Sequence, residues 1–168
     1  MNFIKKLFLF GALAVLASLI AYFLYVSHNK KGIMIVNVLN KELYDDLHIA
    51  GSIHVPYEEV EESINNNWST LPKDTPVIFY CSNYACSASG EVARYMRKQG
   101  FSHAYAYEGG MAEWFNLHKQ DKTYKIVGEG KQSYLTRLNP VKPAPTDVKI
   151  VSAEQLKKML GDNRVKGW

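Results

Sequence analysis

The chain carries two thiols, Cys81 and Cys86. Cys81 closes an apolar run, Val77-Ile78-Phe79-Tyr80, and opens a short loop that leads into a helix near Ser87. A thiol so placed looks into backbone N–H groups at the positive end of a helix, which stabilises a thiolate and any anionic sulfur species attached to it. Thiolate is the reactive form of cysteine, so the expected chemistry is nucleophilic, with a depressed Cys81 pKa. The plain alternative is a buried cysteine that only packs. Ser82, Asn83, Tyr84, Ala85, Cys86 and Ser87 line the loop and are the candidate substrate-binding residues, with Asn83 supplying tolerance for positive φ. Cys86 reads either as a small residue tucked against the helix start or as a resolving thiol that accepts sulfur or pairs with Cys81. His48 and His54 partner no cysteine at metal-ligand spacing, and no metal or cofactor is expected.

The elements that must position this loop follow from the apolar pattern. Residues 33–39 and 77–80 are mostly apolar and β-branched or aromatic, as buried strands are; residues 52–55 and 103–107 read as two more strands. Residues 48–51 read as a turn. Helices are expected over 41–47, 58–68, 87–99 and 111–118; Gly100 stops the third, and Ala88, Val92, Tyr95 and Met96 share one of its faces. Strands alternating with helices predict an α/β fold with a mostly parallel sheet.

Beyond His118 the pattern fades, and Pro140, Pro143 and Pro145 mark a stiff, extended linker. Ile150-Val151 then leads into a helix opened by Ser152 and Gln155, a capping box, and closed by Gly161. Leu156, Met159 and Leu160 give it an apolar face. Residues 1–31 hold four lysines and no acid, residues 32–118 have a net charge of −6, and residues 119–168 one of +6. Nothing in the acidic middle marks a nucleic-acid binder, and the basic tail, if not simply solvated, suits either the middle of the chain or an anionic membrane surface.

Residues 7–26 are twenty residues without a charge, flanked by Lys5-Lys6 and Lys30-Lys31. A helix of about 20 residues spans a bilayer core of about 30 Å, and Tyr22 and Tyr25 fall where an interfacial belt lies. A cleaved signal peptide is the competing reading, but cutting after the small residues at 12–17 leaves an apolar stub. The expectation is a single-pass membrane protein: anchor and linker over 1–32, a domain over 33–118, and a tail over 119–168. Lysines on both flanks leave the membrane side of the domain open.

Three blocks, in order, resemble the rhodanese-like family over about half the chain. They are Ile35-Val36-Asn37-Val38-Leu39 with His48-Ile49-Ala50-Gly51-Ser52-Ile53-His54-Val55-Pro56, then Tyr80-Cys81 with its loop and Ser87-Ala88, then Tyr107-Glu108-Gly109-Gly110-Met111-Ala112-Glu113-Trp114. The resemblance implies a mostly parallel sheet flanked by helices and a sulfurtransferase whose Cys81 carries sulfur as a persulfide. It implies a sulfane sulfur donor (persulfide, polysulfide or thiosulfate) and a thiol acceptor. It also makes His48 a structural residue of the first block's turn. The loop length resembles that of the sulfur-transferring members; phosphatase relatives have one residue more and an arginine where this chain has Ser87. The chain departs from the family pattern in having no Arg or Lys in the loop, Asn37 and Leu39 in place of Asp-x-Arg, and Cys86 where many relatives carry arginine. A thiol–disulfide switch using Cys81 and Cys86, or a non-catalytic protein-binding module, are the alternatives. The segment around residues 148–161 resembles the strand and helix with which such domains open; docking back on the domain is one reading, and a solvated helix that meets lipid or another protein is the other.

Overall fold

Strand residues that are apolar without alternation need cover on both sides, and the sheet supplies it. The computed structural model describes residues 32–66, 68–120, 126–137 and 147–162, together with Ser18. β1 (Met34–Asn37), β3 (Ile53–His54), β4 (Val77–Tyr80), β5 (Ala104–Tyr107) and β7 (Lys149–Ile150) form one sheet in the order β3-β1-β4-β5-β7, every pair parallel. β4 lies at its centre, and all four of its residues are buried.

Alternate residues along the strands feed two cores. Met34, Val36, Val77 and Phe79 face one side, where α2 (Val60–Asn66) contributes Ile64 and α3 (Ala88–Lys98) contributes Val92 and Met96. Ile33, Ile35, Ile78 and Tyr80 face the other, where α4 (Gly110–His118) contributes Met111 and Trp114 and α5 (Ala153–Asp162) contributes Leu156. A short α1 (Lys41–Asp46) follows β1, capped by the Asn40 side chain, which accepts the Leu43 N–H at 3.0 Å.

The C-terminal segment does dock. β7 adds to the free edge of β5, with Ala106 opposite Ile150, and the Val151 N–H donates to the Ala106 carbonyl at 2.9 Å. The capping box forms reciprocally: Gln155 N–H donates to Ser152 Oγ, and Ser152 N–H to Gln155 Oε1. Arg94 of α3 pairs with Asp147 just before β7. The expected turn over residues 48–51 is different in part: Leu47–Ile49 is a strand, β2, paired antiparallel with β6 (Ile126–Gly128). That pairing joins segments some eighty residues apart, so nothing local marks it. The expected membrane span, residues 7–26, lies outside the described residues apart from Ser18, as does the Pro-rich stretch around residues 139–146. Among the described residues no helix is long and apolar enough to cross a membrane.

Candidate functional site

The C-terminal edge of a parallel sheet, beside its central strand, is where such folds build sites. β4 ends there and delivers Cys81, which is 0% exposed. Below it Tyr80 fixes the strand end. Its hydroxyl accepts the Ile49 N–H at 3.0 Å and shares a hydrogen bond with Ser52 Oγ at 2.9 Å, while burial pushes its pKa up to about 12. The turn after β2 is thereby tied to the floor of the site. The two histidines of that region serve the same turn. His48 and His54 stack on the two sides of Tyr44, at centroid distances of 4.0 and 4.5 Å. Their ring nitrogens pair with the Tyr44 and Leu39 carbonyls, and the Tyr44 hydroxyl donates to the Ser52 carbonyl.

Two helix N-termini converge on the loop. One is α3, whose buried Ser89 places Oγ 3.6 Å from Cys81 Sγ. The other is α4, which sequence reasoning assigned only to a turn and a helix. Its first amides, of Met111 and Ala112, donate to the carbonyls of Cys81 and Ser82, each at 2.9 Å. This needs Gly110. Its φ is +60°, and a Cβ there would stand 2.5 Å from the Cys81 oxygen and 2.8 Å from the Asn83 nitrogen. Gly110→Ala therefore both strains the backbone and pushes the loop off α4. It is expected to cost about 2–4 kcal/mol, read as a lower Tm, and to reduce activity more than the stability loss explains.

Inside the loop the amides are distributed differently from the ring expected around Cys81. Asn83 has no positive φ; it is buried and makes an Asx turn, its Oδ1 accepting the Ala85 N–H at 3.0 Å. Its carbonyl accepts the Cys86 N–H at 3.0 Å. Ser87 is exposed, and its hydroxyl serves the Glu91 carboxylate one turn on. Cys81 Sγ has as neighbours the carbonyl oxygens of Cys86 at 3.7 Å and Asn83 at 4.0 Å, which accept rather than donate. The hydroxyl and amide of Ser89 favour its anion. The amides of Ala88 and Ser82, with the Ser82 hydroxyl, serve Cys86 instead.

Thiol chemistry follows from that arrangement. Cys81 and Cys86 interact directly, and Cys86 is half-buried while Cys81 is sealed. The bond from Cys81, aided by the amides of Ala88 and Ser82, lowers the Cys86 pKa to about 6 against its own burial. That same bond, with burial and the Cys86 charge, pushes the Cys81 thiol well up. The depressed Cys81 pKa expected from its place in the chain is thus not found. The pair holds one proton between two sulfurs, with the charge on Cys86.

Tyr84 tops the loop and donates to Glu113 Oε1 of α4 at 3.0 Å. Burial, and then the carboxylates of Glu113 and Glu108, raise its hydroxyl to about 12. Burial and Glu113 likewise push the Tyr107 hydroxyl up. Among the described residues no cluster of His, Cys, Asp or Glu has the arrangement of a metal site.

A family model described as the rhodanese-like domain matches residues 24–117, more than half of the chain. The chain belongs to the rhodanese-like family. Its relatives include the thiosulfate sulfurtransferase GlpE of Coxiella burnetii (strain RSA 493 / Nine Mile phase I), which is 31% identical over 89 residues, 53% of this chain and 78% of that protein. GlpE of Pseudomonas syringae pv. syringae (strain B728a) is 26% identical over 92 residues, 55% of this chain and 81% of its own. Among solved structures, a rhodanese with anions from E. coli is 23% identical, with a TM-score of 0.44 over 58% of this chain and 99% of that one. The rhodanese-like domain here has a mostly parallel sheet flanked by helices, with its two cysteines at one loop.

Proposed function

We propose that this rhodanese-like domain is a sulfurtransferase that carries sulfane sulfur as a persulfide on Cys81. The observation that carries the reading is the pair of cysteines at the end of β4: Cys81 is buried with the Cys86 carbonyl 3.7 Å from its sulfur, and the direction of their mutual shifts, Cys81 up and Cys86 down, fits Cys86 to take the Cys81 proton. Cys81 sulfur attacks the outer sulfur of a donor R–S–SH, and the proton moves to Cys86. The donor's S–S bond breaks, and R–SH leaves with that proton. Cys81–S–SH remains, and an acceptor thiol attacks its outer sulfur to return Cys81 to the thiol. Ser82, Asn83, Tyr84, Ala85, Cys86 and Ser87 surround the incoming donor in this reading. Ser89 is a further residue of the site, touching the reacting sulfur. Sequence reasoning missed it; the small polar residue one turn into the helix after the cysteine was the available signal.

A dianionic donor meets the wrong electrostatics here. The Cys86 charge, two carbonyl oxygens and the carboxylates about Tyr84 are all negative. Like charges at about 4 Å repel by roughly 1–4 kcal/mol. Turnover with thiosulfate is therefore expected to trail turnover with a low-charge organic persulfide by roughly 10- to 100-fold, and Cys86→Arg to narrow the gap through thiosulfate kcat/KM. Equal use of both donors, unchanged by Cys86→Arg, would sink the electrostatic part of the proposal. A chain that gains no sulfur from any donor is instead a binding module.

We also propose that residues 7–26 anchor the protein as a single-pass helix. The support is the uncharged twenty-residue run with paired lysines at both ends. The full chain should stay with membranes through a carbonate wash; a shortened form released from them would establish a cleaved signal peptide.

A further inference from the structure

We infer that the Cys81–Cys86 pair gives this domain a second outcome, the reduction of its carried sulfur to sulfide. The inference rests on the persulfide reading above. In this step Cys86 sulfur attacks Sγ of Cys81–S–SH, the inner sulfur. The bond from Cys81 Sγ to the outer sulfur breaks, and the outer sulfur leaves as HS⁻ with its bonding pair. A Cys81–Cys86 disulfide forms. The sulfane sulfur gains two electrons, both from the two cysteine sulfurs, and no outside oxidant takes part. An external thiol then reopens the disulfide.

Three features of the loop point this way. The two cysteines already share one turn, because Asn83 curls the chain so that the Cys86 carbonyl lies 3.7 Å from Cys81 Sγ, and each thiol shifts the other's ionisation. The surroundings of Cys81 offer a persulfide anion few donors: two carbonyl oxygens face it, the amides of Ala85 and Cys86 are taken within the turn, and the support comes from Ser89. Finally, the amides of Ser82 and Ala88 favour an ionised Cys86, the form needed for the attack. A lone catalytic cysteine has no such exit and waits for an acceptor. Here the exit lies five residues along the same loop.

The test uses the full-length chain, reduced, loaded with glutathione persulfide and desalted so that no free thiol remains. Intact mass and released sulfide are then followed. The wild type should become two hydrogens lighter than the reduced chain and release about one sulfide per chain. Cys86→Ser and Cys86→Ala, loaded at a pH raised until Cys81 is alkylated, since burial still pushes its thiol up and Cys86 is no longer there to take its proton, should stay one sulfur heavier and release none until a thiol is added. A wild-type chain that keeps its extra sulfur and releases no sulfide overturns the inference while the persulfide reading stands. Variants that never gain sulfur overturn the persulfide reading, and this inference falls with it.

Discussion

Replacing Cys81 by serine is expected to lower sulfur transfer by on the order of 10³-fold or more, since removal of a covalent nucleophile leaves only binding and positioning. The fold should survive. Serine is slightly smaller, and the new hydroxyl finds acceptors in the carbonyls that now surround the thiol, those of Asn83 and Cys86, with Ser89 Oγ beside them. A stability change within about 1 kcal/mol follows, visible as a nearly unchanged Tm. The pH profile carries the rest of the mechanism. Cys86, with a pKa lowered to about 6, is ionised above that pH and able to take the Cys81 proton; as pH falls through about 6 it is protonated, and loading should fall with it. In Cys81→Ser the bond that chiefly lowers the Cys86 pKa is weakened, so alkylation of Cys86 should need higher pH. A Cys81→Ser chain with wild-type transfer would remove Cys81 from the chemistry.

Removing residues 147–168 is expected to unfold the domain or to lower its Tm by more than about 15 °C. Val148, Val151 and Leu156 are buried at 7%, 6% and 0% exposure. At roughly 1.5–3 kcal/mol each, before ordering costs, they represent a large share of a typical 5–15 kcal/mol stability. The loss also strips two register pairs from β5, leaving an edge beside the central strand unpaired. Leu156→Ala isolates the packing term: about 2–4 kcal/mol and a Tm lower by about 10 °C. A truncated domain that melts with the full chain would show the tail to be an appendage.

Both results separate what a sequence states locally from what only the folded chain reveals. The unbroken apolar runs of β1 and β4 announce strands covered on both faces, and Cys81 after one of them announces a site at the sheet's C-terminal edge. Ser152, Gln155 and the Leu156 face announce a helix with an apolar side, because capping and periodicity are local properties; that it docks on the domain through β7 is a long-range pairing and is seen only in the fold. The distribution of protons is not local. It depends on which amides point at which sulfur, and the Asn83 turn sends those of Ser82 and Ala88 to Cys86. The positive-φ role expected of Asn83 fails for the same reason: its side chain builds the turn with ordinary φ. Gly110 reads as a turn residue, yet its neighbours in space are the backbone atoms of Cys81, Ser82 and Asn83. The pairing of β2 with β6 was equally invisible, since three-residue strands carry too little pattern to name a partner.

Sulfur carried on Cys81 leaves a signature in mass. Cys86→Ser leaves Cys81 as the one thiol in the chain, so intact mass assigns any added sulfur without ambiguity. Loaded with an organic persulfide at the raised pH where Cys81 is alkylated, that variant should gain one sulfur atom and lose it to an added thiol. A variant that is folded, accessible to alkylation at Cys81 and yet never gains sulfur would contradict the account.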